Sequence, residues 1–219
     1  MTTIAVIGAG PGLGLSIAKR FGSEQFNVAL IARNKEKLSA MVEELKGLNI
    51  ESKYYLADLR NLEQLKKALD DAKADFNNID VLEFSPYPGP KSFIPTLDVT
   101  AENMTEQINY FLLPAIEAVQ SVLPGMQKKG AGAILFPTGI SAMHPIPQLG
   151  NAGIVMAGLR NYATNLHNIL KEQSIYVGHL SIGTLIEKGT EGDPDLIADM
   201  WYNQYATQPY FEAVYPTKN

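Results

Sequence analysis

Residues 8 to 14 read Gly8-Ala9-Gly10-Pro11-Gly12-Leu13-Gly14, directly after an apolar run, Thr3 to Ile7, and directly before an amphipathic one. Glycines at this spacing are what a tight strand-to-helix turn demands. They adopt dihedrals that a Cβ forbids, and they let backbone amides approach an anion. The following helix, with Leu13, Ile17 and Phe21 facing inward, then offers its free N-terminal N–H groups to phosphate. The spacing is GxxxGxG over Gly8, Gly12 and Gly14, because Leu13 stands where GxGxxG would need glycine. A glycine-rich turn without a ligand is the plain alternative.

The rest of the chain repeats that strand-then-helix rhythm. Thr3 to Ile7, Val28 to Ala32, Lys53 to Leu56 and Val81 to Phe84 read as the first four strands. Ile134 to Phe136, Ile175 to Ile182 and Phe211 to Val214 read as the last three. Between them Leu38, Met41, Val42 and Leu45 share one helical face, as do Leu62, Leu65 and Leu69. Asn61 with Gln64 three residues on predicts a capping box, and Asp193-Pro194 a helix start. Buried strands alternating with helices predict an α/β fold: one doubly wound, Rossmann-type parallel sheet with helices on both faces, spanning residues 1–219 as a single domain. A length of 219 residues suits one well-buried domain. Ser85 to Pro95 is then a loop after the fourth strand, and ligands are expected at the carboxyl ends of the strands.

Composition narrows the functional classes. Net charge is −5, which provides no basic field for nucleic acid or an anionic membrane. Cysteine is absent, so disulfides, thiolate metal sites and a cysteine nucleophile are excluded. No apolar run approaches the roughly 20 residues that span a bilayer, and the N-terminus does not read as a signal peptide. The expected location is the cytoplasm.

At the end of the second strand a plain ribose usually meets an acidic residue. Here the run is Leu30-Ile31-Ala32-Arg33-Asn34. Ala32 cannot accept a ribose hydroxyl, whereas the Arg33 fork suits a 2′-phosphate. The expected cofactor is therefore NADP(H) rather than NAD(H), with a solvated surface arginine as the alternative. Asp58, after the third strand, is placed to meet the adenine edge, or simply enters a helix.

These motifs, taken with Asp58-Leu59, Gln107-Ile108-Asn109, Leu123-Pro124-Gly125-Met126, Gly132-Ala133-Ile134-Leu135, Ala157-Gly158-Leu159-Arg160 and Ser181-Ile182-Gly183, resemble the short-chain dehydrogenase/reductase family along nearly the whole chain. The resemblance implies a seven-stranded parallel sheet with three helices on each side. It also implies a cofactor set of Gly8, Gly10, Pro11, Gly12, Leu13, Gly14, Arg33, Asn34, Asp58, Leu59, Ser85, Pro86, Asn109 and Gly183. The family's Asn-Asn-Ala-Gly after the fourth strand is here Phe84-Ser85-Pro86-Tyr87, so the adenine-ribose contacts must be made differently. Asn109 matches the family's asparagine. The catalytic serine falls near Gly139, between Thr138 and Ser141. The Tyr-x-x-x-Lys pair falls on Ala152 and Met156, neither of which can move a proton or lower a phenol's pKa. Between Pro137 and Arg160 there is no tyrosine or lysine, so no small register slip restores the pair. Tyr162, further down the same helix, has no lysine four residues on.

Other side chains offer substitute acids and bases. His144 lies in the loop after the fifth strand, where a bystander is the ordinary reading. Glu83 sits in an apolar strand; burial would raise its pKa and suit it to general acid work, while a solvent-facing strand or a paired lysine would explain it equally. Tyr87 and Tyr110 could aim phenols at the cleft, or merely pack. No metal-ligand spacing and no Ser-His-Asp set is evident. The aromatic tail Trp201, Tyr202, Tyr205, Tyr210 and Phe211 reads as a cover for an apolar ligand or as core beneath the last helix. Two functions follow: an NADP(H)-dependent oxidoreductase of unknown small-molecule substrate with a degenerate centre, or a catalytically silent dinucleotide-binding sensor, regulator or partner subunit. Long helices over Glu102 to Gln127 and Gly150 to Gln173 predict a homodimer or homotetramer.

Overall fold

The computed structural model describes residues 1–217; residues 218 and 219 of the expected domain lie outside it. Seven strands form one all-parallel sheet: β1 (Thr3–Ile7), β2 (Asn27–Ala32), β3 (Ser52–Leu56), β4 (Val81–Phe84), β5 (Gly132–Gly139), β6 (Ile175–Ile182) and β7 (Glu212–Tyr215), in the order β3-β2-β1-β4-β5-β6-β7. Parallel strands need crossovers, and seven helices supply them: α1 (Leu13–Gly22), α2 (Lys35–Gly47), α3 (Leu62–Phe76), α4 (Ala101–Gln107), α5 (Leu113–Lys129), α6 (Gly150–Leu170) and α7 (Pro194–Thr207). A π-helical segment, Ile108–Leu112, joins α4 to α5, so the expected long helix carries a bulge at Asn109. The Rossmann-type architecture expected from the sequence is the one observed.

Side-chain alternation divides the core in two. On one face Leu65, Leu69, Ala118, Val122, Val155 and Leu159 bring α3, α5 and α6 against Ile7, Phe84 and Phe136. On the other, Ile17, Phe21, Leu38, Leu45, Ile197 and Trp201 bring α1, α2 and α7 against Val6, Leu30 and Leu135. A fully buried leucine- or phenylalanine-sized side chain stabilises by about 1.5–3 kcal/mol relative to exposure, so these two stripes hold the layers together. The first half of the aromatic tail belongs to this core: Trp201 is fully buried, and Tyr202 and Tyr205 pack on Phe21 at ring distances of 5.1 and 5.3 Å, whereas Tyr210 is exposed and Phe211 packs on the opposite face of the sheet. For Trp201, Tyr202 and Tyr205 the reading as a ligand cover is thereby corrected, because α7 lies on α1 and turns these rings into the layer between the helices.

Helix ends follow local chemistry. Asn34 caps α2 by accepting from the Lys37 N–H, and Asp193 caps α7 by accepting from the Asp195 N–H. Asn61 caps α3 through the Gln64 N–H at 3.1 Å, but Gln64 Oε1 accepts from the Asp58 N–H rather than from Asn61. The expected box is thus opened by one turn of loop. No helix among the described residues is long and apolar enough to cross a membrane.

Candidate functional site

The carboxyl ends of β1, β2, β4, β5 and β6 lie along one edge of the sheet, and the glycine loop occupies its middle. Gly8 has φ +85°, and a Cβ there would come within 2.4 Å of the Pro86 Cα. The loop after β4 therefore presses on the loop after β1, which only glycine permits. By contrast a Cβ at Gly12 would meet nothing within 4 Å, so this backbone faces open space. Gly12 also caps α1 without a side-chain bond, and the first turn of α1 holds no acidic residue. Uncapped amides above an open, uncharged cradle fit a pyrophosphate.

The remaining cofactor candidates surround that cradle unequally. Arg33 and Asn34 are exposed after β2. Arg33 forms no ion pair among the described residues, whereas Asn34 is occupied in capping α2. Asp58 is tied back into its own turn, accepting from the Arg60 N–H at 3.0 Å, while Leu59 beside it is buried. The Arg60 guanidinium, which the sequence did not single out, lies 4.8 Å above the Tyr110 ring. The positive charges of Arg33 and Arg60 both act to lower the Tyr110 pKa, but burial outweighs them and holds it above the ordinary phenol range. Ser85 hands its hydroxyl to Glu83 at 3.0 Å, Pro86 is buried against Gly8, and Gly183 anchors the end of β6 by donating to the Tyr215 carbonyl at 2.7 Å. Asn109 is exposed on the π-helical segment.

At the end of β5, Thr138 and Ser141 are both buried, and a Cβ on Gly139 would lie 3.3 Å from the Met156 sulfur. The Ser141 hydroxyl donates to that sulfur at 3.6 Å. Ala152 is buried, and its neighbour Asn151 ties the loop after β4 down: its Oδ1 accepts from the Ile94 N–H at 2.9 Å and its Nδ2 donates to the Ser92 carbonyl at 2.9 Å. His144 is exposed, and Tyr87 is 63% exposed, with its ring 6.0 Å from that of Phe93. Tyr162 is half-buried in the core.

Glu83 is fully buried, which removes both the solvent-facing and the paired-lysine readings. Its register partners are Val6 and Leu135, so it points into the apolar layer beneath α1 and α7. Burial pushes its pKa up to about 8, moderated by the Ser85 hydroxyl, and its Oε1 has no partner among the described residues.

No Ser-His-Asp set is evident in the sequence, but the fold assembles a related chain. Thr138 Oγ1 lies 2.9 Å from His179 Nε2, and His179 Nδ1 lies 2.9 Å from Glu212 Oε1. Arg160 grips Glu212 through Nε and Nη2. His179 is 0% exposed, and burial, partly opposed by Glu212, lowers its pKa to about 4. The only trace of this in the sequence is a histidine in an otherwise apolar strand; its partners come from β5, β7 and α6.

Fold and site together define a doubly wound α/β domain of Rossmann type. The family model described as short chain dehydrogenase matches residues 2–189, and the chain belongs to that family. It is 30% identical over 181 residues to a very-long-chain 3-oxoacyl-CoA reductase of Anas platyrhynchos, covering 78% of this chain and 56% of that protein. It is 26% identical over 217 residues to a 3-oxoacyl-[acyl-carrier-protein] reductase of Staphylococcus epidermidis, covering 94% of this chain and 84% of that one. An inactive hydroxysteroid dehydrogenase-like protein of Homo sapiens is 28% identical over 182 residues, with 80% and 53% covered. Among solved structures, a short-chain dehydrogenase from Rhodopseudomonas palustris superposes with a TM-score of 0.87 at 25% identity over 99% of both chains. An L-sorbose reductase from Gluconobacter frateurii, solved with NADPH and L-sorbose, reaches 0.87 at 19% identity over 97% of this chain and 94% of that one, a likeness of fold.

Proposed function

We propose that this protein is an NADP(H)-dependent oxidoreductase with a degenerate catalytic centre, acting on a small molecule. Support for the cofactor comes from the open cradle at Gly12, the unpaired Arg33 after β2 and the alanine at position 32. When bound, the nicotinamide would supply or take a hydride; Gly8 to Gly14 and the start of α1 would hold its pyrophosphate and Arg33 its 2′-phosphate. The degenerate reading rests on Ala152 and Met156, onto which the resemblance carries the family's tyrosine and lysine. Neither can carry a proton, and Met156 sets a thioether against the Ser141 hydroxyl. Glu83 does not take over as the acid, because its carboxyl is turned into the apolar layer.

Carbonyl reduction needs a proton on oxygen, and general acid help contributes about 10² to 10⁴ in rate. Wild-type protein should therefore bind NADPH yet reduce aldehydes and simple ketones slowly, and reduce quinones better, because their product anions collect a proton from water. Steady-state NADPH oxidation against the three substrate types tests this. Installing Ala152→Tyr with Met156→Lys should raise ketone turnover. Brisk ketone reduction by wild type would refute the degenerate centre.

A second reading, a catalytically silent NADP(H)-binding sensor or partner subunit, is favoured by the human relative named as inactive. It predicts NADPH binding with no turnover of any of the three classes. Either form would act as a homodimer or homotetramer through α5 and α6.

A further inference from the structure

Glu83 and the phosphate cradle share the middle of the sheet. β4 pairs with β1 so that Glu83 stands level with Val6 and Phe84 with Ile7. Glu83 is thus only about 7 Å of strand short of the level of Gly8. Its side chain lies on the face that α1 covers, because Val6 and Leu135, its neighbours on either side, pack with Leu15 and Ile17 of that helix. Above it Ser85 is half-buried and Pro86 buried. The Ser85 hydroxyl donates to Glu83 Oε2 at 3.0 Å, and the Ser85 N–H donates to the Ile7 carbonyl at 3.0 Å. Pro86 then closes on Gly8. A carboxyl group is sealed beneath the cradle, with one oxygen lacking a partner among the described residues.

The cradle attracts an anion by backbone alone. Residues 8–14 contain no cation, and Gly8 and Ala9 spend their N–H groups on the Ile31 carbonyl. What remains is the set of free amides that opens α1. Lys19 and Arg20, the first cations of that helix, are paired with the exposed carboxylates of Glu44, Glu24 and Asp199. A negative charge on Glu83, in a layer of low dielectric, would oppose a pyrophosphate over a short distance and with little screening. No countercharge offsets it. β1 and β5 carry no ionisable side chain. From α7, Asp195 is bonded to Ser16 and Asp199 to Arg20, and the remaining titratable groups of the layer are the phenols Tyr176, Tyr202 and Tyr205. Only burial and the Ser85 hydroxyl shift the Glu83 pKa, which stands at about 8.

We propose that Glu83 is a pH-dependent control on cofactor occupancy: the cradle takes up the dinucleotide while the Glu83 carboxyl is neutral and loses it as that carboxyl ionises. This rests on the NADP(H) reading and adds regulation to the same site. Glu83 touches no ligand; it acts through its charge and through the Ser85 and Pro86 contacts that hold Gly8. Linkage is reciprocal, so an anion in the cradle tightens the hold of Glu83 on its proton. At pH values where Glu83 is neutral in both states, affinity is independent of this group. Above them binding takes up a proton, and Kd rises by up to about tenfold per pH unit.

Trp201 supplies a readout that needs no turnover. It is the single tryptophan of the chain and is fully buried in the same layer. Its emission should titrate with a midpoint near 8 in unliganded wild type, move to higher pH with saturating NADP+, and show no such step in Glu83→Gln. A midpoint that NADP+ leaves in place would overturn the control. Calorimetric titration of NADP+ should give a Kd about five- to tenfold weaker at pH 9 than at pH 7 in wild type, and the same Kd at both in Glu83→Gln. At pH 8.5, in buffers of different ionisation heat, wild type should take up about half a proton per cofactor bound. This last measurement needs no variant, so it stands even where Glu83→Gln fails to fold. Equal wild-type Kd at pH 7 and 9, binding without proton uptake, or the same pH dependence in Glu83→Gln overturns the control and leaves the cofactor reading intact. Wild type that binds neither NADP+ nor NAD+ at pH 6.5 overturns both together.

Discussion

Pro86 packs on Gly8 so closely that a Cβ built on the glycine would sit 2.4 Å from the Pro86 Cα, and Gly8 holds φ at +85°. The loops after β1 and β4 are thereby locked together at the centre of the sheet edge. Gly8→Ala imposes both a left-handed strain of roughly 1–2 kcal/mol and an overpacking cost of about 1–3 kcal/mol. Thermal unfolding should fall by roughly 5–15 °C for a chain of this size, whereas Gly12→Ala, which meets open space, should change Tm little and weaken NADPH binding. Equal Tm values for wild type and Gly8→Ala would show that the loops part freely.

The proposed preference for NADP(H) over NAD(H) rests on Arg33. A charge-assisted bond to the 2′-phosphate contributes about 1.5–3 kcal/mol, or roughly 10- to 150-fold in Kd. Calorimetric titration of NADPH and NADH into wild type should show that preference, and Arg33→Asp should abolish or invert it. Indistinguishable affinities in the wild type would return Arg33 to the solvated surface.

Glu83 makes stability depend on pH. Its folded pKa is raised to about 8 from an ordinary 4.5. Below pH 4.5 folded and unfolded chains both keep the proton, and its full contribution is present. Between there and about 8 the unfolded chain alone releases the proton, so stability falls by up to about 1.4 kcal/mol per pH unit. Urea midpoints at pH 5, 6.5 and 8 should therefore converge or cross between wild type and Glu83→Gln, with the variant gaining as pH rises. A constant gap across the three pH values would mean that Glu83 ionises in the core as it does in water.

Leu113 on α5 and Ile154 and Ile169 on α6 are 38%, 56% and 62% exposed, apolar side chains left uncovered on the helices proposed to pair. Light scattering at micromolar concentration should give twice or four times the 23.9 kDa chain mass. Ile154→Lys should shift the distribution toward monomer. A wild-type monomer at that concentration rejects the assembly.

The glycine loop, the seven strands within a residue or two of their ends (more at β5), the caps at Asn61 and Asp193, and the family were all legible in the sequence. Each is written in a dihedral demand, a period or a hydrogen bond that spans a turn or so of chain. What the sequence left open was decided by register between distant segments. Glu83 faces an apolar layer because β4 pairs with β1 at Val6 and with β5 at Leu135. Gln64 turns from Asn61 to Asp58 because the loop after β3 brings that amide nearer. Trp201, Tyr202 and Tyr205 are core and not cover because α7 docks on α1, with the Ser16 hydroxyl donating to Asp195 at 2.6 Å. His179, an unremarked residue of a buried strand, acquires a hydroxyl 41 residues away and a carboxylate 33 residues away. No local pattern encodes such a meeting. It exists only once β5, β6 and β7 lie side by side in parallel, where a shift of one residue would turn the imidazole to the opposite face of the sheet.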